Sequence, residues 1–225
     1  MKTKRQRVAA IAGLTIALVF PFLMDLVLKK TPGDLLVPRR MITALAEEWF
    51  LVVLLLAVVI FWERKSLASI GFRKMTWRDL WWALGGFVLG VMAFIFTMPL
   101  LKALGLSSAS GGITKLAQVP LALRIGIVLT AGITEEILFR GYPIERLGSL
   151  TGRIGLGAVI AYVLFVALHI PFWGIGGAIQ IGVWSIVITV LYVKRRNLYA
   201  CMLMHILNDA YAFLLLPIIF RYIPK

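Results

Sequence analysis

Apolar residues run along this chain in long unbroken stretches, separated by short basic or glycine-containing connectors. A stretch of about 20 residues matches the thickness of a bilayer core rather than one face of a soluble helix. Seven such stretches predict helical spans: Val8 to Leu28, Thr43 to Trp62, Leu80 to Leu101, Leu121 to about Leu147, Ile154 to His169, Ile175 to Val193 and Leu198 to Phe220. The first follows Lys2, Lys4, Arg5 and Arg7 as a signal peptide would, but no small-residue cleavage site closes it before Asp25, so it reads as an uncleaved helix. The fold class this pattern predicts is all-α, a polytopic transmembrane helical bundle of about seven spans.

Composition agrees. Of the 225 residues, 61% are hydrophobic and 15% are charged, whereas soluble domains carry about a quarter charged residues, so a water-soluble globule is excluded. The single cysteine, Cys201, excludes an internal disulfide framework and a cysteine-based metal cluster.

Charge gives the orientation, because short cytoplasmic segments collect Lys and Arg. With the N-terminus inside, 15 of the 24 basic residues fall on the inner side: Lys2, Lys4, Arg5, Arg7, Arg64, Lys65, Arg73, Lys74, Arg78, Arg140, Arg146, Arg153, Lys194, Arg195 and Arg196. The expectation is N-in and C-out. Trp49, Trp62, Trp77, Trp81, Trp82 and Trp173 fall near span ends, where an amphipathic ring suits the headgroup layer, and Trp184 breaks that pattern. Ser66 to Trp82 mixes Leu67, Ile70, Phe72 and Trp77 with Arg73, Lys74 and Arg78 and reads as a surface-lying amphipathic segment. Its positive charge is a topology signal and lipid anchor, not a nucleic-acid site. Residues 1–110 thus form a unit of N-terminal transmembrane helices plus an amphipathic cytoplasmic segment, and residues 121–220 a second helical unit.

The informative residues are ionisable groups inside spans, each costing roughly 2.5–3.5 kcal/mol at a bilayer centre. Asp25, Asp34, Glu47, Glu48, Glu63 and Asp79 lie close enough to span ends to reach the interface, and Glu145 belongs on the cytoplasmic side. Glu135, Glu136 and Asp209 do not, and both histidines, His169 and His205, are also inside spans. Glu136 and Arg140 are spaced i, i+4 on one helical face, in the favourable order for an ion pair. Glu135 is turned by about 100° from Glu136 and is free to face a different cavity, as a general base would be; the plainer reading is that both acids satisfy a structural network. Phe165 and His169, and His205 and Asp209, repeat the i, i+4 interval. At about 1.5 Å per residue from a turn near Leu150, Glu135 and His169 lie roughly 22 and 28 Å deep, so they can share a layer. That estimate requires the fourth helix to continue past Arg140, where Pro143 is a candidate kink. Gly86 and Gly90 form a GxxxG pair that lets helices approach, and Gly176 and Gly177 read as easing a tight turn.

Three motifs in this order, EExxxR (Glu135, Glu136, Arg140), FxxxH (Phe165, His169) and HxxxN/D (His205, Asp209), resemble the CPBP family of intramembrane proteases. That family includes the type II CAAX prenyl endopeptidases and the bacterial Abi or bacteriocin self-immunity proteins. The stretch Ile70, Gly71, Phe72 and then Trp77, Arg78, Asp79, Leu80 also looks like the family's approach to its core. The resemblance covers mainly Leu121 to Phe220 and makes residues 121–220 a CAAX protease-like catalytic core in a bacterial or archaeal cell membrane. It implies peptide-bond hydrolysis with Glu135, Glu136, His169, His205 and Asp209 as catalytic residues and Arg140 and Phe165 as orienting ones. Glu135 would activate water with help from His169, and His205 and residue 209 would stabilise the oxyanion. Asp209 departs from the Asn of many members. An ionised Asp repels an oxyanion, so it must be protonated, aimed at His205 to fix its tautomer, or a metal ligand. The cofactor is either none or one zinc-like divalent metal, for which Glu135, His169 and His205 are the candidate ligands, although HExxH is absent.

The expected partners are membrane lipid and a membrane-associated peptide or lipidated protein, including prenylated CAAX tails, and no nucleic acid. The competing readings are a non-catalytic immunity protein and a proton- or cation-coupled transporter with a buried Glu/His site; the lack of an internal repeat counts against the transporter.

Overall fold

The computed structural model describes residues 3–30 and 36–222, all of them helical or in connectors, with no strand among the described residues. Lys2 and Asp34 lie outside the described residues. Helix α1 (Lys4–Leu18) is capped by Thr3, whose hydroxyl accepts from Gln6 N, and gives way at Val19 to α2 (Phe20–Lys30). α3 (Pro38–Ala57) opens on proline, which has no N–H to leave unsatisfied in a first turn, and ends in a π-helical turn, Val58–Trp62. α4 (Trp77–Ala103) begins with a capping box in which the Thr76 side chain accepts from Asp79 N and the Asp79 carboxylate accepts from Thr76 N. The short α5 (Ser110–Ala117), which the hydrophobic pattern does not announce, precedes α6 (Leu121–Glu136).

α6 runs through a π-helical turn at Ile137–Gly141 into α7 (Tyr142–Thr151). Pro143 has no N–H for the Phe139 carbonyl, so the ladder widens just upstream instead of breaking. α8 (Ile154–Arg195) turns back at Gly174, whose φ of 69° and ψ of 177° are not helical. The Phe165 and Trp184 rings lie 6.4 Å apart, whereas 19 residues of straight helix would separate them by roughly 28 Å. The arms are therefore antiparallel. Gly174, not Gly176 or Gly177, supplies the reversal; Gly176 instead admits the Ser107 carbonyl, which a Cβ there would meet at 2.2 Å. α9 (Leu198–Asp209) is capped by Asn197 and leads through a π-helical stretch, Ala210–Leu215, into α10 (Leu216–Tyr222).

Among the described residues, five stretches are long and apolar enough to cross a membrane: Lys4–Met24, Pro38–Trp62, Trp77–Ala103, Ile154–Arg195 and Leu198–Ile219. The expected span from Leu121 to Leu147 is helical, but it is not among the five; it carries Glu135, Glu136, Arg140, Glu145 and Arg146 in its second half. The protein is a polytopic helical membrane protein. Its main apolar core draws on both ends of the chain, from Ala9, Leu55 and Ala83 to Phe165, Ile188 and Met204.

Glu63 and Asp79, which the sequence places at the interface, are buried within protein. Glu63 is 1% exposed and receives Arg146 Nε at 2.8 and 2.9 Å and the Tyr142 hydroxyl at 2.8 Å, while Arg146 also donates to the Ser69 carbonyl and hydroxyl. Asp79 receives Arg195 Nε at 2.8 Å. Arg196, at a φ of 51°, donates to Glu145. The stretch after Ser66 is docked rather than free. Ile70 is fully buried, and the Gly71 carbonyl accepts from Leu198 N at 2.8 Å.

Candidate active site

Three helices deliver the polar groups. At the end of α6 the neighbouring acids diverge. Glu136 is fully buried: its Oε1 accepts from Arg140 Nη1 at 2.9 Å and lies 2.7 Å from His205 Nδ1, and its Oε2 has no partner among the described residues. Glu135, with 19% of its side chain exposed, faces a cavity instead. The one-residue rotation anticipated from helical geometry thus separates an orienting acid from an accessible one.

α9 carries His205 and Asp209 on one face. His205 Nε2 lies 3.9 Å from Glu135 Oε2 and 3.6 Å from Asp209 Oδ2, both beyond hydrogen-bond range. Since Glu136 takes Nδ1, that acid sets the imidazole's orientation, and Asp209 meets the opposite nitrogen. Asp209 is therefore not the group that fixes the tautomer.

His169, on the first arm of α8, has its Nδ1 2.7 Å from the Phe165 carbonyl oxygen, and the two rings are 4.4 Å apart. A carbonyl only accepts, so Nδ1 carries the proton, and in the neutral form of the ring Nε2 is the acceptor. Phe165 is also the floor for Arg140, whose guanidinium carbon sits 3.9 Å from the ring centroid while Nη2 donates to Ser185 at 2.8 Å.

Glu135, His169, His205 and Asp209 line one cavity of about 490 Å³, together with Glu48, Trp184, Asn208 and a largely apolar remainder that includes Val91, Phe94, Ile95, Met98, Ile127 and Phe172. Glu136 and Arg140 do not line it, and Phe165 does. The geometry brings together all seven residues singled out in the sequence, four of them polar and facing the chamber.

Three contributors come from outside the motifs. Glu48, assigned to the interface by sequence, reaches across from α3 and accepts from the Thr134 hydroxyl at 2.6 Å, one residue before Glu135. Trp184, the tryptophan that fell away from span ends, stands edge-on to His205 at 4.7 Å and donates its Nε1 proton to Asn208 Oδ1 at 2.7 Å. Its exceptional position in the sequence was the available signal. Asn208, out of register with the motif, comes to the chamber because Gly90 leaves room; a Cβ there would lie 2.3 Å from Asn208 Oδ1.

Among the described residues no group of three or more His, Cys, Asp or Glu side chains is arranged to hold a metal ion. Glu135, His169 and His205 line one wall, with the Glu135 carboxylate 3.9 Å from His205 Nε2 and with each imidazole's Nδ1 on a protein acceptor, which leaves both Nε2 atoms open. As placed, the three candidates are not grouped as a ligand set.

No curated protein and no solved structure matched this chain. A family model did: residues 117–211 match the type II CAAX prenyl endopeptidase Rce1-like family. The matched segment includes Glu135, Arg140, His169, His205 and Asp209 and excludes Glu48. Residues 117–211 of this integral membrane protein are thus similar to the Rce1-like family of CAAX-type intramembrane peptidases.

Proposed function

We propose that the chain is an intramembrane endopeptidase that hydrolyses a peptide bond of a membrane-associated substrate, with prenylated CAAX-type tails in its substrate class. The observation that carries this reading is the convergence of Glu135, His169, His205 and Asp209 on one mostly apolar chamber. An apolar cavity with a few convergent polar groups is the form such sites take.

Glu135 takes a proton from a water molecule as the water oxygen bonds to the scissile carbonyl carbon. His169 Nε2, left as an acceptor by the Nδ1 contact to Phe165, holds the other water proton and so orients the attack. A proton on His205 Nε2 meets the oxyanion as it forms, and the contact from Nδ1 to Glu136 keeps that edge turned into the chamber. When the carbon–nitrogen bond breaks, Glu135 returns its proton to the leaving nitrogen. Asp209 acts here in its protonated form, as a second donor, which removes the repulsion an ionised carboxylate would exert on the oxyanion.

The test is Glu135→Gln in the purified protein, incubated with lipidated and unlipidated membrane-associated peptides and read by mass spectrometry of released fragments. The expected result is loss of cleavage with unchanged membrane insertion and unfolding temperature. Wild-type cleavage matched by the Gln variant would end the proposal. Retention of a protective immunity phenotype by the Gln variant, with no cleavage by either protein, would favour the non-catalytic immunity reading.

A further inference from the structure

A second cavity, of about 170 Å³, lies against the other side of Glu135. It is walled by Ala44, Glu47 and Glu48 from α3, by Glu135 and Leu138, and by Leu168 from α8, with α2 closing its remaining side. Glu48 and Glu135 are the two residues that line both cavities, so these carboxylates form the partition between them.

Seven of the ten residues lining the small cavity are apolar, as is most of the larger one, and the other three are Glu47, Glu48 and Glu135. The larger is mostly apolar, and a peptide in it displaces water from the chamber side of Glu135. Hydrolysis nevertheless consumes one water per bond: its oxygen stays on the new carboxyl group, one proton reaches the leaving nitrogen, and Glu135 ends as it began. That water must be replaced at Glu135 while substrate and product fill the large side. The small cavity has room for several water molecules at about 30 Å³ each, and carboxylates on its wall supply the polar partners that buried water needs.

We infer that the smaller cavity is the water route to Glu135, with Glu48 as the positioning residue at its inner end. The inference rests on the endopeptidase reading. Glu48, held by the Thr134 hydroxyl at 2.6 Å, keeps the partition polar on both faces and presents water to Glu135 from the side away from the substrate.

The test uses the fact that the protein's one cysteine, Cys201, is fully buried. Ala44→Cys and, as a second position, Leu168→Cys place a thiol on the small cavity. Each is treated in vesicles with a cationic, water-soluble methanethiosulfonate and, separately, with a long-chain alkyl maleimide. The expected result is modification of both variants by the cationic reagent, with the wild type unmodified. Reaction with the alkyl maleimide alone would mean that the cavity houses an acyl chain and would overturn the inference. Cleavage is then compared before and after modification, so that folding is held constant. Plugging the route should lower kcat roughly tenfold or more with KM unchanged, and full modification with no change in kcat would also overturn it. Labelling needs no turnover. If no protein, wild type included, cleaves any peptide, the endopeptidase reading fails while the labelling still reports whether water fills the cavity.

Discussion

Removing Arg146 should strongly destabilise the fold. Its guanidinium holds both oxygens of Glu63, and it also donates to the carbonyl and hydroxyl of Ser69. Arg146 and Glu63 are 2% and 1% exposed, so neither finds water when the other is lost. Arg146→Met would leave a buried carboxylate without its cation, held by the Tyr142 hydroxyl, a loss expected to cost about 3–5 kcal/mol. At about 2–4 °C per kcal/mol for a chain of this size, Tm should fall by about 6–20 °C. Cys201 is a built-in reporter: it is fully buried, and a thiol-reactive fluorophore should light up only as α9 detaches. The double variant Glu63→Leu with Arg146→Met removes both charges and should recover most of the loss. A Tm for Arg146→Met within about 1 °C of wild type, or a double variant as unstable as the sum of the singles, would refute the reasoning.

Arg140→Lys should lower kcat with little change in Tm, since one ammonium does not reproduce a guanidinium that binds Glu136 and Ser185 while stacking on Phe165; steady-state kinetics beside the same thermal assay will show it. Gly90→Ala should cost about 1–3 kcal/mol and impair cleavage, because its Cβ would lie 2.3 Å from Asn208 Oδ1 and 2.6 Å from Trp184 Cδ1, forcing the indole off His205; Gly85→Ala, which meets nothing within 4 Å, is the matched control. Asp209→Asn should retain turnover, because an amide at this position donates to an oxyanion without needing a proton; a loss as deep as that of Glu135→Gln would show that the carboxyl group itself is required.

What the sequence made legible were relations within one helix. An interval of four fixes a shared face whatever the tertiary fold, so Glu136 with Arg140, Phe165 with His169 and His205 with Asp209 were readable, as was the divergence of Glu135 from Glu136. Relations between helices were not. Glu63 and Arg146 are 83 positions apart and Asp79 and Arg195 are 116 apart, so acids that meet cations across the bundle looked like acids near an interface. Glu48 was hidden for the same reason. Trp184 and Ser185 reach the site only because α8 reverses at Gly174, and a run of apolar residues does not reveal which side chains a hairpin will place face to face.

On the proposed endopeptidase reading, the arrangement also gives different roles to two adjacent glutamates, chemically identical and one position apart. Glu136 is enclosed by a guanidinium on one side and an imidazole on the other, so its charge is spent on orientation: Arg140 is held over Phe165, and His205 is turned by its Nδ1. Phe165 in turn binds His169 through its carbonyl, so both imidazoles are referred to one buried ion pair, each with Nδ1 facing protein and Nε2 left for chemistry. Glu135, 3.9 Å from His205 Nε2, has no hydrogen-bonded cation among the described residues and looks into both cavities. A base must gain and lose a proton each cycle, and a carboxylate already committed to Arg140 would do so only by breaking the network that aims both histidines. In the endopeptidase mechanism proposed above, proton transfer therefore falls to the acid outside the network, while the acid inside it keeps the geometry fixed through the cycle.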